Sequence, residues 1–232
     1  MIIGRFNHIE ADAVVVGAGP SGAVAALLLS KRGLRVVLVD RARFPREKVC
    51  GDAISPRALR VLENLGLGEW LYARHFEQPR SLKVYAPSGR YAEIEAPESI
   101  GLGMVIPRIE LDNAILKNAI EAGVVFVEEA EAIGASLSDR HIDVKCLHKD
   151  NIFTVTAQIA LACDGSVASF SRSVGLVRCE PDAFAARVYV RGTESDVTSF
   201  NAFYLKEVLP GYGWVFPVGG GIYNVGLVLC QL

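Results

Sequence analysis

The feature that most constrains the fold is the stretch from Ala13 to Asp40, in which strand, glycine and helix signals follow one another without a break. Ala13 to Val16 is a short apolar run, mostly valine, that predicts a buried strand, and "GAGPSG" follows it at once. The small apolar residues from Ser21 to Ser30 predict a helix, and "RVVLVD", Arg35 to Asp40, predicts a second strand. Because two neighbouring strands joined by a helix lie parallel, this stretch predicts one βαβ unit.

The glycines between the first strand and the helix are Gly17, Gly19 and Gly22, in G-x-G-x-x-G order. The first allows a tight turn, the second lets the backbone approach a pyrophosphate, and the third lets the helix pack on the strand. Asp40 closes the second strand, where an acid accepts hydrogen bonds from a ribose diol and repels a 2′-phosphate. The pattern predicts a dinucleotide site for NAD or FAD, not NADPH. A purely structural tight turn is the alternative interpretation.

Composition and charge narrow the class of protein. With 232 residues, 51% hydrophobic and 22% charged, the chain has an ordinary globular composition and fits one or two domains. Its formal net charge of −2 comes from mixed charges without a basic stripe, which argues against nucleic acid as a partner. The 5 cysteines and 4 histidines are scattered without metal-ligand or disulfide spacing, so we predict no metal site and a reducing compartment.

The sequence shows neither a signal peptide nor a membrane-spanning run. The first residues, "MIIGRFNHIEAD", lack the pattern of a secretory signal peptide, and no run approaches the ~20 apolar residues needed to span a bilayer. We therefore expect a cytoplasmic protein. Peripheral contact with a membrane is compatible with the sequence. The sequence does not indicate whether the chain is a monomer or an oligomer.

The rest of the chain alternates between helical and antiparallel patterns. Ser55 and Pro56 predict a helix start with Gly66 as its end, and "SLKVYAPSGRYAEIEA" predicts a hairpin. A second helix is expected from Ile109 to Ala122, and short alternating runs from Glu131 to Ala162 predict a meander of strands. Beyond Pro181, four further strand-like runs follow, so an α/β domain is interrupted by antiparallel insertions.

Four segments carry a resemblance to a known family: "VVVGAGPSGAVAALLLSKRGLRVVLVDR", "FPREKVCGDAISPRAL", "CDG" and "PGYGWVFP". Together they resemble the geranylgeranyl reductase family of FAD-dependent oxidoreductases, within the larger group that shares the p-hydroxybenzoate hydroxylase fold. The resemblance implies an α/β protein with a Rossmann-like FAD-binding domain of parallel sheet and β-meander, residues 1–80 and 106–180. A partial antiparallel-sheet substrate domain, residues 81–105 and 181–232, is interleaved with it. Full-length members of this family continue further, so we expect a C-terminally truncated chain.

The resemblance also implies which residues bind FAD. Arg108 matches an arginine that faces the cofactor, and Asp164 and Gly165 match a second dinucleotide motif. The family usually has a serine where this chain has Ala168, and often a lysine where it has Val218. The implied cofactor-binding residues are Gly17, Gly19, Pro20, Ser21, Gly22, Asp40, Arg41, Cys50, Gly51, Arg108, Asp164 and Gly165.

By the same resemblance, the catalytic candidates are Cys50, Tyr212, Trp214 and Phe216. The family places this cysteine near the flavin ring, as a proton donor or as part of the pocket wall. Arg46 and Lys48 lie just upstream, and positive charge lowers the pKa of a thiol. The three aromatic residues alternate, which in a strand puts them on one face, as a wall of an apolar cavity. The alternative interpretations are a small buried hydrophobe for the cysteine and ordinary core for the aromatics.

The implied activity is reduction of a carbon–carbon double bond in a geranylgeranyl or related isoprenoid chain, with hydride from FAD and a proton from elsewhere. The substrate would be an isoprenoid small molecule or lipid, such as a geranylgeranyl lipid, a chlorophyll precursor or a quinone side chain. NADPH or another donor would supply electrons to the flavin. Two alternatives stay open: a flavin-dependent monooxygenase or halogenase of the same fold, and an inert, truncated FAD-binding fragment.

Overall fold

The computed structural model of the protein describes residues 7–97, 101–192 and 198–230. The chain divides into two compact units, Met1–Arg46 with Ile109–Glu180 and Glu47–Arg108 with Pro181–Leu232. Residues 47–80 thus group with the second unit, whereas the family resemblance implies that they belong to the FAD-binding domain. Those domains are defined by function, so their boundaries stay a prediction. The expectation about a signal peptide rests partly on residues 1–6, which lie outside the described residues.

The helices and strands are short. The α-helices are Pro20–Ser30 (α1), Pro56–Leu62 (α2), Gly68–Ala73 (α3), Arg108–Glu121 (α4) and Ser169–Ser173 (α5). The strands are His8–Glu10 (β1), Ala13–Val16 (β2), Val36–Val39 (β3), Ala53–Ile54 (β4), Ser81–Tyr85 (β5), Tyr91–Glu95 (β6), Met104–Val105 (β7), Val125–Val127 (β8), Ala130–Leu137 (β9), Ile142–His148 (β10), Asn151–Ala157 (β11), Ile159–Ala162 (β12), Ala183–Arg191 (β13), Phe200–Phe203 (β14), Gly213–Gly219 (β15) and Ile222–Cys230 (β16).

The first unit is built around a parallel sheet of order β12-β2-β3-β8. Every residue of β2 and β3 is buried, which is why both strands read as unbroken apolar runs rather than as alternating patterns. Ala13 pairs with Val36 and Val16 with Val39, in parallel register. With α1 as the crossover, the predicted βαβ unit is confirmed.

A second sheet in this unit, of order β1-β11-β10-β9, contains the meander. Its strands β9, β10 and β11 are antiparallel, as predicted, while β1 adds to the edge in parallel with β11. One hydrophobic core joins the two sheets, and Val14, Val37, Val144 and Phe153 are among its buried members.

The second unit contains a sheet of order β13-β16-β15-β14-β5-β6. The predicted hairpin is confirmed, because β5 and β6 pair from Ser81 with Glu95 to Tyr85 with Tyr91. All neighbours are antiparallel except β14 and β5, which run parallel. The mixed α/β architecture with parallel and antiparallel sheets therefore agrees with the predicted fold class.

The segment after Ser55 is more helical than predicted. Ser55 caps α2 through its side chain, which accepts a hydrogen bond from the Ala58 amide at 3.3 Å. A π-helical turn, Glu63–Leu67, then leads into α3, and Gly66 within it has φ of 94°. The glycine therefore marks a kink, not the end of helical structure, because the buried side chains of Leu67 and Leu71 hold α3.

Within the described ranges, no helix has the length and apolar character needed to cross a bilayer.

Candidate functional site

The turn between β2 and α1 can be built only from glycine at two positions. Gly17 has φ of +100°, a conformation that L side chains rarely adopt, and a Cβ there would overlap the carbonyl oxygen of Cys163. A Cβ on Gly22 would overlap the carbonyl oxygen of Gly17. The first and third glycines of the motif therefore let the chain turn tightly and let α1 approach the ends of β2 and β12.

The start of α1 is suited to an anion. Gly19 is the N-cap and Pro20 follows it at the first helical position. Among the described residues, no side chain caps this end, and the first turn holds no acidic residue. Ser21 is exposed, with its hydroxyl 3.7 Å from Cys163 Sγ. A helix of 11 residues whose first amides lack a side-chain acceptor offers them, with the positive end of its dipole, to a phosphate.

Asp40 lies beside the same turn. Its Oδ2 accepts a hydrogen bond from the Ala18 amide at 2.7 Å, and its Oδ1 accepts one from the Ala42 amide at 2.8 Å. Each carboxylate oxygen can accept a further hydrogen bond, so these contacts orient the acid without exhausting it. The structure thus brings Asp40 to the glycine turn. Arg41, which follows it, is exposed.

Asp164 follows β12 and caps the short helix α5. Its Oδ2 accepts hydrogen bonds from the amides of Phe170 at 2.8 Å and Ser171 at 3.1 Å, and its Oδ1 accepts one from the Ser171 hydroxyl at 2.5 Å. Burial alone would raise the pKa of Asp164, but the hydrogen bonds from Ser171, from its own backbone and from Phe170 together outweigh burial and hold that pKa below the usual value. Ala168, in left-handed conformation, is the N-cap and offers no side-chain acceptor. Asp164 supplies that acceptor instead.

In the second unit, the Cys50 segment lies against the aromatic strand β15. A Cβ on Gly51 would stand 3.1 Å from Phe216 Cε2 and 3.4 Å from Trp214 Nε1, so the glycine backbone packs directly on both rings. The ring centres of Trp214 and Phe216 are 6.3 Å apart, and Tyr212 lies 6.1 Å from Trp214. The three predicted aromatic residues therefore form one row. Trp214 is 5% exposed, and its indole N–H donates to Asn224 Oδ1 at 2.9 Å.

Sequence reasoning missed Asp52, a fully buried carboxylate next to Gly51. Its Oδ2 accepts hydrogen bonds from the Tyr189 hydroxyl at 2.6 Å and from Asn224 Nδ2 at 2.7 Å. Burial raises the pKa of Asp52, and the hydrogen bonds from Tyr189 and Asn224 oppose that effect. A signal for Asn224 was present: it is a polar residue inside the otherwise apolar run of β16, and a polar side chain needs a partner when it is buried.

Two basic residues named above, Arg108 and Arg46, each contact a buried aspartate. The backbone amide of Arg108, at the start of α4, donates to Asp52 Oδ1 at 3.3 Å. The cofactor contact expected of the Arg108 side chain stays a prediction. Arg46 Nη1 lies 3.1 Å from Asp112 Oδ2, and Asp112 is 1% exposed, so the charge of Arg46 is compensated locally.

The structure brings the predicted residues together in two groups. One group lies in the first unit and contains Gly17, Gly19, Pro20, Ser21, Gly22 and Asp40. The other lies in the second unit and contains Cys50, Gly51, Trp214 and Phe216. Gly165 has φ of +75°, and a Cβ placed on it would meet no atom within 4 Å. No cluster of three metal-ligating side chains is present in the described part of the chain.

Comparison with known proteins gives the family. The sequence profile described as FAD binding domain matches residues 10–218. The chain belongs to this FAD binding domain family. The glycine turn, the start of α1 that no described side chain caps, and Asp40 fit the pyrophosphate and ribose of FAD, the cofactor of the family.

Curated relatives of this FAD binding domain include reductases. A menaquinone reductase from Mycobacterium tuberculosis is 36% identical over 229 residues, covering 94% of this chain and 55% of the relative. Digeranylgeranylglycerophospholipid reductase 1 from Methanopyrus kandleri is 35% identical over 228 residues, covering 94% of this chain and 58% of the relative. The chain thus spans little more than half the length of these relatives.

Solved structures share the fold. A geranylgeranyl bacteriochlorophyll reductase-like protein from Thermoplasma acidophilum matches with a TM-score of 0.83 and 24% identity, covering 96% of this chain and 57% of the other. The myxobacterial chondrochloren halogenase matches with a TM-score of 0.82 and 20% identity, covering 96% and 53%. Because a reductase-like protein and a halogenase match equally well, the fold does not select the chemistry.

Proposed function

We propose that the chain is the FAD-binding part of a reductase that acts on carbon–carbon double bonds of a geranylgeranyl or related isoprenoid chain. One observation carries this proposal. The two segments that most specifically resemble the reductase family, K-x-C-G and Y-x-W-x-F-P, pack against each other through Gly51, Trp214 and Phe216. These segments are far apart in sequence, so their contact is support that the glycine motif alone does not supply.

The residues of the first unit bind and orient the cofactor in this proposal. Gly17 and Gly22 hold the turn, the amides at the start of α1 receive the pyrophosphate, and Asp40 receives the ribose hydroxyls. FAD, when bound, supplies the hydride that adds to one carbon of the double bond, and an external reductant such as NADPH supplies the electrons.

The residues of the second unit bind the substrate and deliver the proton. Tyr212 and Phe216, which are half-buried, offer apolar surface to an isoprenoid chain, whereas buried Trp214 lies between them and donates its indole N–H to Asn224. The thiol proton on Cys50 Sγ goes to the second carbon of the double bond, leaving a thiolate that water reprotonates. The reaction adds two hydrogen atoms and needs no oxygen.

The relatives support the substrate class. One is named for digeranylgeranylglycerophospholipid and another for menaquinone. A prenyl chain on a lipid or on a quinone is therefore our proposed substrate, and such molecules reside in membranes. Peripheral contact with a membrane surface follows as part of the proposal.

The test begins with the purified chain and its visible spectrum. A stoichiometric flavin spectrum supports the proposal, whereas failure to bind added FAD favours the alternative of an inert fragment. The flavoprotein is then reduced without oxygen and supplied with a geranylgeranyl lipid, and mass spectrometry measures the gain of hydrogen. Cys50→Ala should retain flavin and lose product.

A flavin-dependent monooxygenase or halogenase is the second candidate, favoured by the match to the halogenase structure. Oxygen separates the two, because these enzymes consume it and the proposed reductase does not. Product that forms only in the presence of oxygen would overturn the reductase proposal.

A further inference from the structure

Asp52 is surrounded by hydrogen-bond donors. Its Oδ2 accepts from Tyr189 and Asn224, its Oδ1 accepts from the Arg108 amide, and its side chain is completely buried. Its backbone φ is 63°, in the left-handed region that aspartate and asparagine tolerate better than most residues. A carboxylate, which only accepts hydrogen bonds when ionised, matches this environment.

The orientation of the Asn224 amide is determined by its neighbours. Trp214 Nε1 can only donate, so the atom that faces it at 2.9 Å must be the Asn224 oxygen. The Asn224 nitrogen therefore points the other way and donates twice, to Asp52 Oδ2 at 2.7 Å and to the backbone carbonyl of Cys50 at 2.8 Å. Asn224 links the buried carboxylate to the main chain of Cys50.

These contacts come from one row of the sheet. Tyr189 on β13 is paired with Asn224 on β16, and Asn224 is paired with Phe216 on β15. Three adjacent strands thus present neighbouring residues to the segment of Cys50, Gly51 and Asp52.

Strand β13 also contacts the residues just before Cys50. Arg187, two residues before Tyr189 and therefore on the same face of β13, donates to Glu47 Oε2 at 2.8 Å and to the Lys48 carbonyl at 3.3 Å. Its guanidinium lies 4.0 Å from the centre of the Tyr189 ring. The segment from Glu47 to Asp52 is therefore held at both ends.

We propose that Asp52 is the positioning residue for Cys50, acting through Asn224 on the Cys50 carbonyl. The relevance of this role to catalysis rests on the proposed function, in which Cys50 carries the transferred proton. An amide at position 52 cannot replace the carboxylate. Whichever way it is turned, its nitrogen faces either Asn224 Nδ2 or the Arg108 amide, and two donors then oppose each other.

Thiol alkylation tests this role without flavin or substrate. Wild type and Asp52→Asn are treated with iodoacetamide, and peptide mass spectrometry gives the rate at Cys50 relative to the exposed Cys179 in the same sample. Cys50 is half-buried, so faster labelling reports movement of its segment. We expect Asp52→Asn to raise the relative rate about tenfold, the scale expected when a buried donor loses its acceptor.

A double variant separates positioning from stability. In Asp52→Asn with Asn224→Asp, residue 52 donates to residue 224, Trp214 keeps its acceptor, and the rotatable Tyr189 hydroxyl can accept. The melting temperature should therefore recover toward that of wild type. The Cys50 carbonyl now faces a carboxylate instead of a donor, so alkylation of the Cys50 thiol should stay fast. Recovery of both quantities would show that Cys50 reactivity only follows stability, and would overturn the proposal.

Two further variants complete the design. Asp182→Asn, an exposed carboxylate of the same unit, is the matched control and should leave the Cys50 rate unchanged. Tyr189→Phe removes one donor to Asp52 and should raise the rate by a smaller factor, so it replaces Asp52→Asn if that variant does not fold. An unchanged Cys50 rate in the folded variants would overturn the proposal. Positive labelling results without reductase activity would leave this inference standing and count against the proposed function.

Discussion

At the scale of single residues, Gly51 is the position where the two family-like segments touch. Replacing it with alanine puts a methyl group 3.1 Å from the Phe216 ring, tighter than ordinary contact. We expect Gly51→Ala to lower the free energy of unfolding by about 1 to 3 kcal/mol, the usual cost of overpacking. Urea unfolding measures the change.

The matched control is Gly134→Ala, whose added methyl group meets no atom within 4 Å. It should leave stability unchanged or slightly raised, because alanine reduces the entropy of the unfolded chain. Equal losses in both variants would show that the aromatic contact at Gly51 carries no special constraint.

Asp164 leads to a prediction about pH. Because its pKa is lowered in the folded state, its stabilising effect is present above the ordinary value of 3.8 and is lost as pH falls through the folded-state pKa. Asp164→Ala should lower the free energy of unfolding by about 1 kcal/mol at neutral pH, a loss typical of a removed helix cap. The difference in the free energy of unfolding between this variant and wild type should become smaller in acid.

Thermal unfolding at neutral pH and at pH below 3.8 measures this difference. Asp139→Ala, an exposed carboxylate in a turn of the same unit, is the control and should change stability little at either pH. A loss for Asp164→Ala that is constant across pH would contradict the capping role.

At the scale of elements, the junction of β2 and α1 leaves the least room for added side chains. A methyl group on Gly22 would overlap the Gly17 carbonyl, which is backbone and cannot move aside cheaply. Gly22→Ala should therefore displace α1 and abolish FAD binding, measured by flavin fluorescence titration. Leu28→Ala, on an exposed position of the same helix, should retain FAD affinity close to that of wild type.

Local patterns were sufficient to predict most elements of the first unit. The βαβ unit and the meander have buried faces that repeat with strand or helix spacing, so their apolar residues are visible in sequence. Strand β1 is 3 residues long and mostly exposed, and α3 follows a kink at Gly66, so neither produces such a pattern.

The residues of the candidate site also differ in how far the sequence could predict them. The glycine turn and Asp40 lie within one βαβ unit and were predictable from spacing. Asp52 and Asn224 are separated by 172 positions, and their contact depends on the order of strands in the sheet. Asn224 is recognisable as a polar residue in an apolar strand, but no local pattern identifies Asp52 as its partner at that distance, which is why sequence reasoning reached Cys50 and missed the residues that hold it.

At the scale of the whole molecule, FAD should stabilise the chain. A ligand that binds only the folded state raises the free energy of unfolding by about 2.7 kcal/mol at one hundred times its dissociation constant. We expect added FAD to raise the melting temperature more than NADPH does, because Asp40 repels a 2′-phosphate at this site. Equal shifts with both nucleotides would contradict the assignment of Asp40.

The distance between Cys50 and its anchors also has a consequence for synthesis. Cys50 leaves the ribosome well before Tyr189 and Asn224, which hold the segment around it. Until β13 and β16 are complete and paired, no bond from these strands restrains the segment, and its thiol is open to oxidants. A newly made chain therefore passes through a period in which the Cys50 segment lacks the restraint that these two strands later provide.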